Sequence, residues 1–158
     1  MEKNITIIGG GLAGSEAAYQ IAKRGIKVKL YEMKPSKFSP AHSNCNLAEI
    51  VCSNSFKSNL ITNASGLLKE ELRQLDSLLI KIADEVQVPA GQALAVDREK
   101  FAEEVTKRLE QFANIEVIRQ EVGKEISVKQ LAENGIVIIA TGPLTSESLS
   151  KEIQELTG

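Results

Sequence analysis

The sequence predicts an α/β fold built on a mainly parallel sheet, and three observations carry that reading. A β-branched apolar run, Ile5–Ile8, closes on the glycines Gly9–Gly11, and helix-forming residues follow at once. A second strand pattern, Lys27–Glu32, completes a β-α-β unit, which demands parallel strands and a right-handed crossover. A late run, Ile136–Ala140, is apolar throughout, as strands covered on both faces are.

The elements follow in order. Leu12 to Arg24 is rich in good helix formers, and Gly25 stops it. Met33 to Asn63 has no period and holds both cysteines and the only histidine. A stretch that long inside a compact domain is read as a functional excursion, about residues 33–63, with short elements inside. Leu67, Leu68, Leu72, Leu75, Leu79, Ile82 and Val86 fall at helical spacing, which predicts one long helix, Ser65–Glu85, with its leucines in the core. Val88 to Val96 reads as a strand pair, or as a strand broken by Pro89 and Gly91. Asp97 is placed to cap a helix from Arg98 to Phe112 whose Phe101, Val105, Leu109 and Phe112 face inward. Ile115–Val122 is a strand, and Glu125–Val128 is a candidate for another. Ile136–Ala140 reads as a fully buried strand ending at Thr141-Gly142-Pro143, and Ser146–Gly158 as the start of a helix. Residues 1–158 are expected to be one domain, truncated, or one domain plus a fragment of another.

Composition narrows the function classes. Of the 158 residues, 42% are hydrophobic and 25% charged, as in ordinary globular proteins. The net charge of −2 gives no global basic footprint for nucleic acid. Met1–Asn4 leads straight into a strand, nothing there looks like a signal peptide, and the apolar run is too short to span a bilayer. Two cysteines do not make a disulfide framework, so a cytoplasmic, reduced protein without membrane association is expected. One histidine argues against a His-rich metal site, and no metal is expected.

Gly9, Gly11 and Gly14 fit the G-x-G-x-x-G dinucleotide fingerprint, with Gly10, Leu12 and Ala13 completing the loop. The motif alone is weak. Here it follows a strand, opens a helix and lies within a β-α-β unit, the context of a Rossmann-like domain. Gly9 allows the tight turn, Gly11 lets a pyrophosphate approach the backbone, and Gly14 lets helix and strand pack closely. Glu32 ends the second strand, where a carboxylate accepts from ribose hydroxyls; the alternative is a solvated strand-end charge. Met33 and Lys34 follow it, and Lys34 either meets the adenosine or a phosphate or stays solvated. Thr141 and Gly142 end the late strand and border the same crevice. The two turns together suggest FAD rather than NAD, because flavoproteins of the two-dinucleotide type often carry both.

Cys52 lies between Val51 and the polar turn Ser53-Asn54-Ser55. A free cysteine is usually a small buried hydrophobe. The sharper reading is a reactive thiol at the mouth of a pocket.

The strings "GGGLAGSEAA" (9–18), "YEMKP" (31–35), "SPAH" (39–42), "AEIVCSNSF" (48–56), "GLLKEEL" (66–72), "VPAGQALAVDR" (88–98) and "ATGPLTS" (140–146) resemble the folate- and FAD-dependent tRNA uracil-5-methyltransferases, the TrmFO family. Gln92 and "SNCN" before Leu47 depart from the pattern. The resemblance implies methylation of uridine C5 in the tRNA T-loop. The carbon would come from 5,10-methylenetetrahydrofolate and the electrons from FAD replenished by NAD(P)H. It also implies a catalytic role for Cys52. A thiolate added at C6 makes C5 enolate-like, and a base must later remove the C5 proton; a cysteine serves either role. The family's second cysteine is expected beyond residue 158, so Cys45 is read as structural or incidental. His42 is a candidate donor to a phosphate or to a folate carboxylate, or a hydrogen-bonding surface residue. Asp97 and Arg98 either shape the flavin pocket together or form a plain cap. The family's chains are much longer, so this chain is expected to be an N-terminal part of a two-dinucleotide-type flavoprotein, inactive alone and at best a weak FAD binder. Three alternatives stay open: an rRNA uridine methyltransferase of the same family, the related family that modifies the tRNA wobble uridine, and a nucleotide-binding module without catalysis.

Overall fold

The computed structural model describes residues 4–158, and the expected lead-in at Met1–Lys3 lies outside them. In chain order the elements are β1 (Asn4–Ile8), α1 (Leu12–Ala22), β2 (Lys27–Tyr31), β3 (Ser55–Ser58), α2 (Ala64–Gln74), α3 (Leu78–Glu85), β4 (Gln87–Val88), β5 (Ala93–Val96), α4 (Arg98–Glu110), β6 (Ile115–Ile118), α5 (Val128–Ala132), β7 (Ile136–Ile139) and α6 (Glu147–Thr157). A tight helical turn, Gly142–Leu144, follows β7.

The main sheet is parallel, in the order β6-β2-β1-β7. Alternation along the strands serves two cores. Ile7, Val28 and Leu30 face α1, α3 and α4, against Ala18, Ile82, Phe101, Val105 and Leu109. Ile8 and Tyr31 face the other way, against Val122, Val128, Leu131 and Leu149. Each fully buried side chain of this kind contributes about 2 kcal/mol of transfer free energy. The strand-pair reading of Val88–Val96 holds: β4 and β5 pair antiparallel and join β3 in a second, small sheet. Asp97 caps α4 by accepting from Lys100 N.

Four expectations need correction. The single helix Ser65–Glu85 is two helices, broken where Asp76 takes φ 57. Ser77 caps α3 by accepting from Ile80 N, and the Glu16 carboxylate on α1 accepts from Ser77 Oγ, Leu78 N and Leu79 N. A carboxylate at a helix N-terminus is favourable, so α3 starts where Glu16 can reach it. The leucine stripe is only partly core: Leu67, Leu68 and Leu75 are 49%, 55% and 70% exposed. α2 turns Gly66 and Lys69 inward instead. A Cβ at Gly66 would stand 1.8 Å from Leu60 O, and the buried Lys69 ammonium donates to Phe56 O and Ser65 O. Glu125–Val128 is not a strand; only a lone bridge joins Val122 to Ile126, and Ser127 caps α5. The late strand is not fully buried, because β7 is the sheet edge and leaves Ile136 61% exposed.

Candidate functional site

A cavity of about 360 Å³ opens at the carboxyl ends of β1, β2 and β7. That lies toward the lower end of the range of small-ligand pockets, roughly 300–1,000 Å³. Its floor is Ile8 through Ala13; Tyr31, Glu32 and Met33 form one wall, and Ala140 through Ser146 another. Parallel strands put their carboxyl ends and the following turns at one edge of the sheet, which is why segments far apart in sequence converge here.

Three glycines of the loop do different jobs. Gly14 is a packing glycine, since a Cβ there would stand 1.8 Å from Gly9 O. Gly11 has nothing within 4 Å of its Cβ position and so leaves space on the cavity side. It is also the N-cap of α1, and no side chain caps that helix, leaving its first N–H groups for a ligand. Gly10 joins two segments. Its N–H donates to Glu32 Oε2 at 3.0 Å, and its carbonyl accepts from Ala48 N at 2.8 Å. A Cβ there would meet Leu47 Cδ2 at 2.5 Å.

Glu32 is buried, which rules out the solvated strand-end charge. Its two oxygens accept from Gly10 N and Lys34 N, and each keeps a further lone pair for a ligand hydroxyl. Leu12, Ala13, Met33, Thr141 and Gly142 line the cavity as well. Lys34 does not line it. Its side chain is only 2% exposed, and its ammonium donates to Asn46 O and Glu49 Oε2, so neither the phosphate contact nor the solvated lysine describes it.

The excursion supplies a further wall through His42, Glu49 and Val51. His42 Nδ1 lies 2.6 Å from Ser39 Oγ. Burial and the nearby Lys34 charge push its pKa down, so the ring is neutral at pH 7. Glu49 is almost enclosed. Burial pushes its carboxyl up, but hydrogen bonds from Ser43 and Lys34 outweigh that and hold it below the usual range.

Cys52 is exposed and stands one residue beyond Val51, outside the cavity. It borders a shallow depression with Asn54, Val96, Asp97 and Arg98. Asn54 is stitched to Val96 by two hydrogen bonds, 2.9 and 3.2 Å, which fixes the turn after the thiol. Cys45 is also exposed, and its carbonyl accepts from Arg119.

Sequence reasoning missed the wall formed by Gln120, Glu121, Val122 and Leu149. Glu121 accepts from Lys37 Nζ at 2.7 Å and Ser148 Oγ at 2.6 Å. Burial raises its pKa, yet these donors and Ser146 outweigh that and lower it to about 2. No local spacing marks Glu121, because both partners are distant in sequence. Among the described residues, no group of three or more His, Cys, Asp or Glu side chains is placed to hold a metal, and no helix is long and apolar enough to cross a membrane.

The family described as "Glucose inhibited division protein A" matches residues 4–158. A protein of Lactobacillus johnsonii named methylenetetrahydrofolate–tRNA-(uracil-5-)-methyltransferase TrmFO is 58% identical over the whole chain, and one of that name from Fusobacterium nucleatum is 60% identical. The chain spans 35% of the length of each. Among solved structures, a GidA-related protein from Thermus thermophilus aligns over 75% of this chain and 38% of its own, at 17% identity and a TM-score of 0.40.

Proposed function

The chain belongs to the glucose inhibited division protein A family, and we propose that it is the FAD-binding N-terminal part of a methylenetetrahydrofolate-dependent tRNA uracil-5-methyltransferase. The observation that carries the proposal is the identity of 58–60% along the whole chain to relatives of that name. The cavity supports it independently. α1 starts without a side-chain cap and the space at the Gly11 Cβ position is open, a setting suited to the pyrophosphate of a dinucleotide. Glu32 accepts from the ribose hydroxyls in this reading, which its position in the cavity wall beside Met33 supports, as do Thr141 and Gly142 on the opposite side.

FAD, when bound and reduced by NAD(P)H, supplies the electrons that turn the one-carbon unit of the folate into a methyl group. The residues of this chain do the rest of what is proposed here. The glycine loop holds the dinucleotide, and the walls exclude water. Neutral His42 lines the cavity while its Nδ1 meets Ser39. Cys52, one residue beyond the cavity wall, either adds to C6 of the uracil or takes the C5 proton. The compartment proposed is the cytoplasm.

The test uses the full-length protein. Cys52→Ala is expected to keep the flavin absorbance and to abolish 5-methyluridine in tRNA transcripts. Full turnover by that variant would remove Cys52 from the mechanism.

A further inference from the structure

The inner half of the excursion is tied down from several sides. Lys34 leaves the end of β2 and crosses to Asn46 O at 2.7 Å and Glu49 Oε2 at 3.0 Å. Glu49 Oε1 accepts from Ser43 N and Ser43 Oγ. Leu47 N donates to Thr106 Oγ1 on α4 at 2.8 Å. Ala48 N donates to Gly10 O, and Ala48 itself sits at φ 52. That left-handed conformation is unfavourable for a residue with a Cβ, so the surrounding bonds impose it.

A buried ion pair is a poor source of stability, because each ion loses most of its hydration. Its better-attested use is to fix a register. The register here runs through the wall. Lys34 follows Glu32 and Met33, two cavity residues. Glu49 and Val51 also line the cavity, and Cys52 comes next. We propose that Lys34 and Glu49 are positioning residues for Cys52: their ion pair pins the wall segment Glu49–Val51 and so sets where the thiol stands relative to the cavity. The inference rests on the reading of Cys52 as the reacting thiol beside the flavin.

The experiment uses the full-length holoprotein with Lys34→Met, Glu49→Gln and the double variant. Three quantities are read: flavin content by visible absorbance, kcat and KM for a tRNA transcript, and the rate of iodoacetamide alkylation at the Cys52 peptide. KM is expected to hold, and kcat is expressed per bound flavin because Glu49 lines the cavity. The kcat is expected to fall about a hundredfold, the cost of a small displacement of a reacting group. The alkylation rate is expected to change severalfold, and the double variant to match either single one, as two residues acting as a unit do. Unchanged kcat and alkylation in both single variants would overturn the proposal. So would a turnover that falls only in step with flavin content, or effects that add in the double variant. If Lys34→Met does not fold, the isosteric Glu49→Gln decides alone. If Cys52→Ser keeps full activity, the role of the thiol in methylation fails, while the alkylation rates still decide whether the pair positions it.

Discussion

Gly11 and Gly14 belong to one motif but answer to different physics. A methyl at Gly14 would collide with Gly9 O, a backbone atom that cannot step aside. Gly14→Ala is therefore expected to lower unfolding free energy by about 3 kcal/mol or more, read as a shifted urea midpoint. A methyl at Gly11 meets nothing in the protein. Gly11→Ala is expected to keep the midpoint within about 0.5 kcal/mol of the parent and to lose FAD in the full-length protein. Equal destabilisation by both would remove Gly11 from the ligand side of the loop. Glu121 gives a pH prediction. Its folded pKa, about 2, lies below its ordinary 4.5, so it favours the folded state above pH 4.5. That contribution is lost as pH falls from 4.5 toward 2. Glu121→Gln is expected to be less stable than the parent at neutral pH, with the gap closing across that window in denaturation midpoints taken at each pH.

At the scale of elements, α2 and α4 show when periodicity can be trusted. Both have apolar residues at helical spacing. α4 buries that face completely, with Phe101, Val105 and Leu109 at 0% exposure. α2 does not, because Gly66 lets its backbone come against Leu60, and that contact turns the helix so that Lys69 points inward. Phe101→Ala is expected to cost about 3–5 kcal/mol, and Leu68→Lys under about 0.5 kcal/mol, by urea denaturation of this chain. A large loss from Leu68→Lys would restore the leucine stripe to the core. β1, α1, β2 and α4 were legible because their signals are local: apolar period, stop glycine, capping aspartate. The break between α2 and α3 was not, since Glu16, the carboxylate that receives the N-terminus of α3, comes from another helix. The edge position of β7 was also hidden, because an apolar run carries no record of how many neighbours a strand has.

At the scale of the whole molecule, the parallel order β6-β2-β1-β7 gathers the glycine loop, Glu32 and Thr141-Gly142 at one end of the sheet. The sequence located those residues, since they follow strands directly. It did not reveal that the excursion becomes a wall, because that depends on Thr106, Arg119 and Gly10, contributed by three other parts of the chain. These same ties have a kinetic consequence. Leu47, Ala48 and Cys45 are held by the protein's own atoms, each at 2.8 Å. A receptor whose walls already stand admits its guest without a slow folding step. On mixing full-length apoprotein with excess FAD, the observed rate of flavin fluorescence change is expected to climb in direct proportion to FAD concentration. A rate that levels off at high FAD would mean the wall is assembled on arrival rather than waiting.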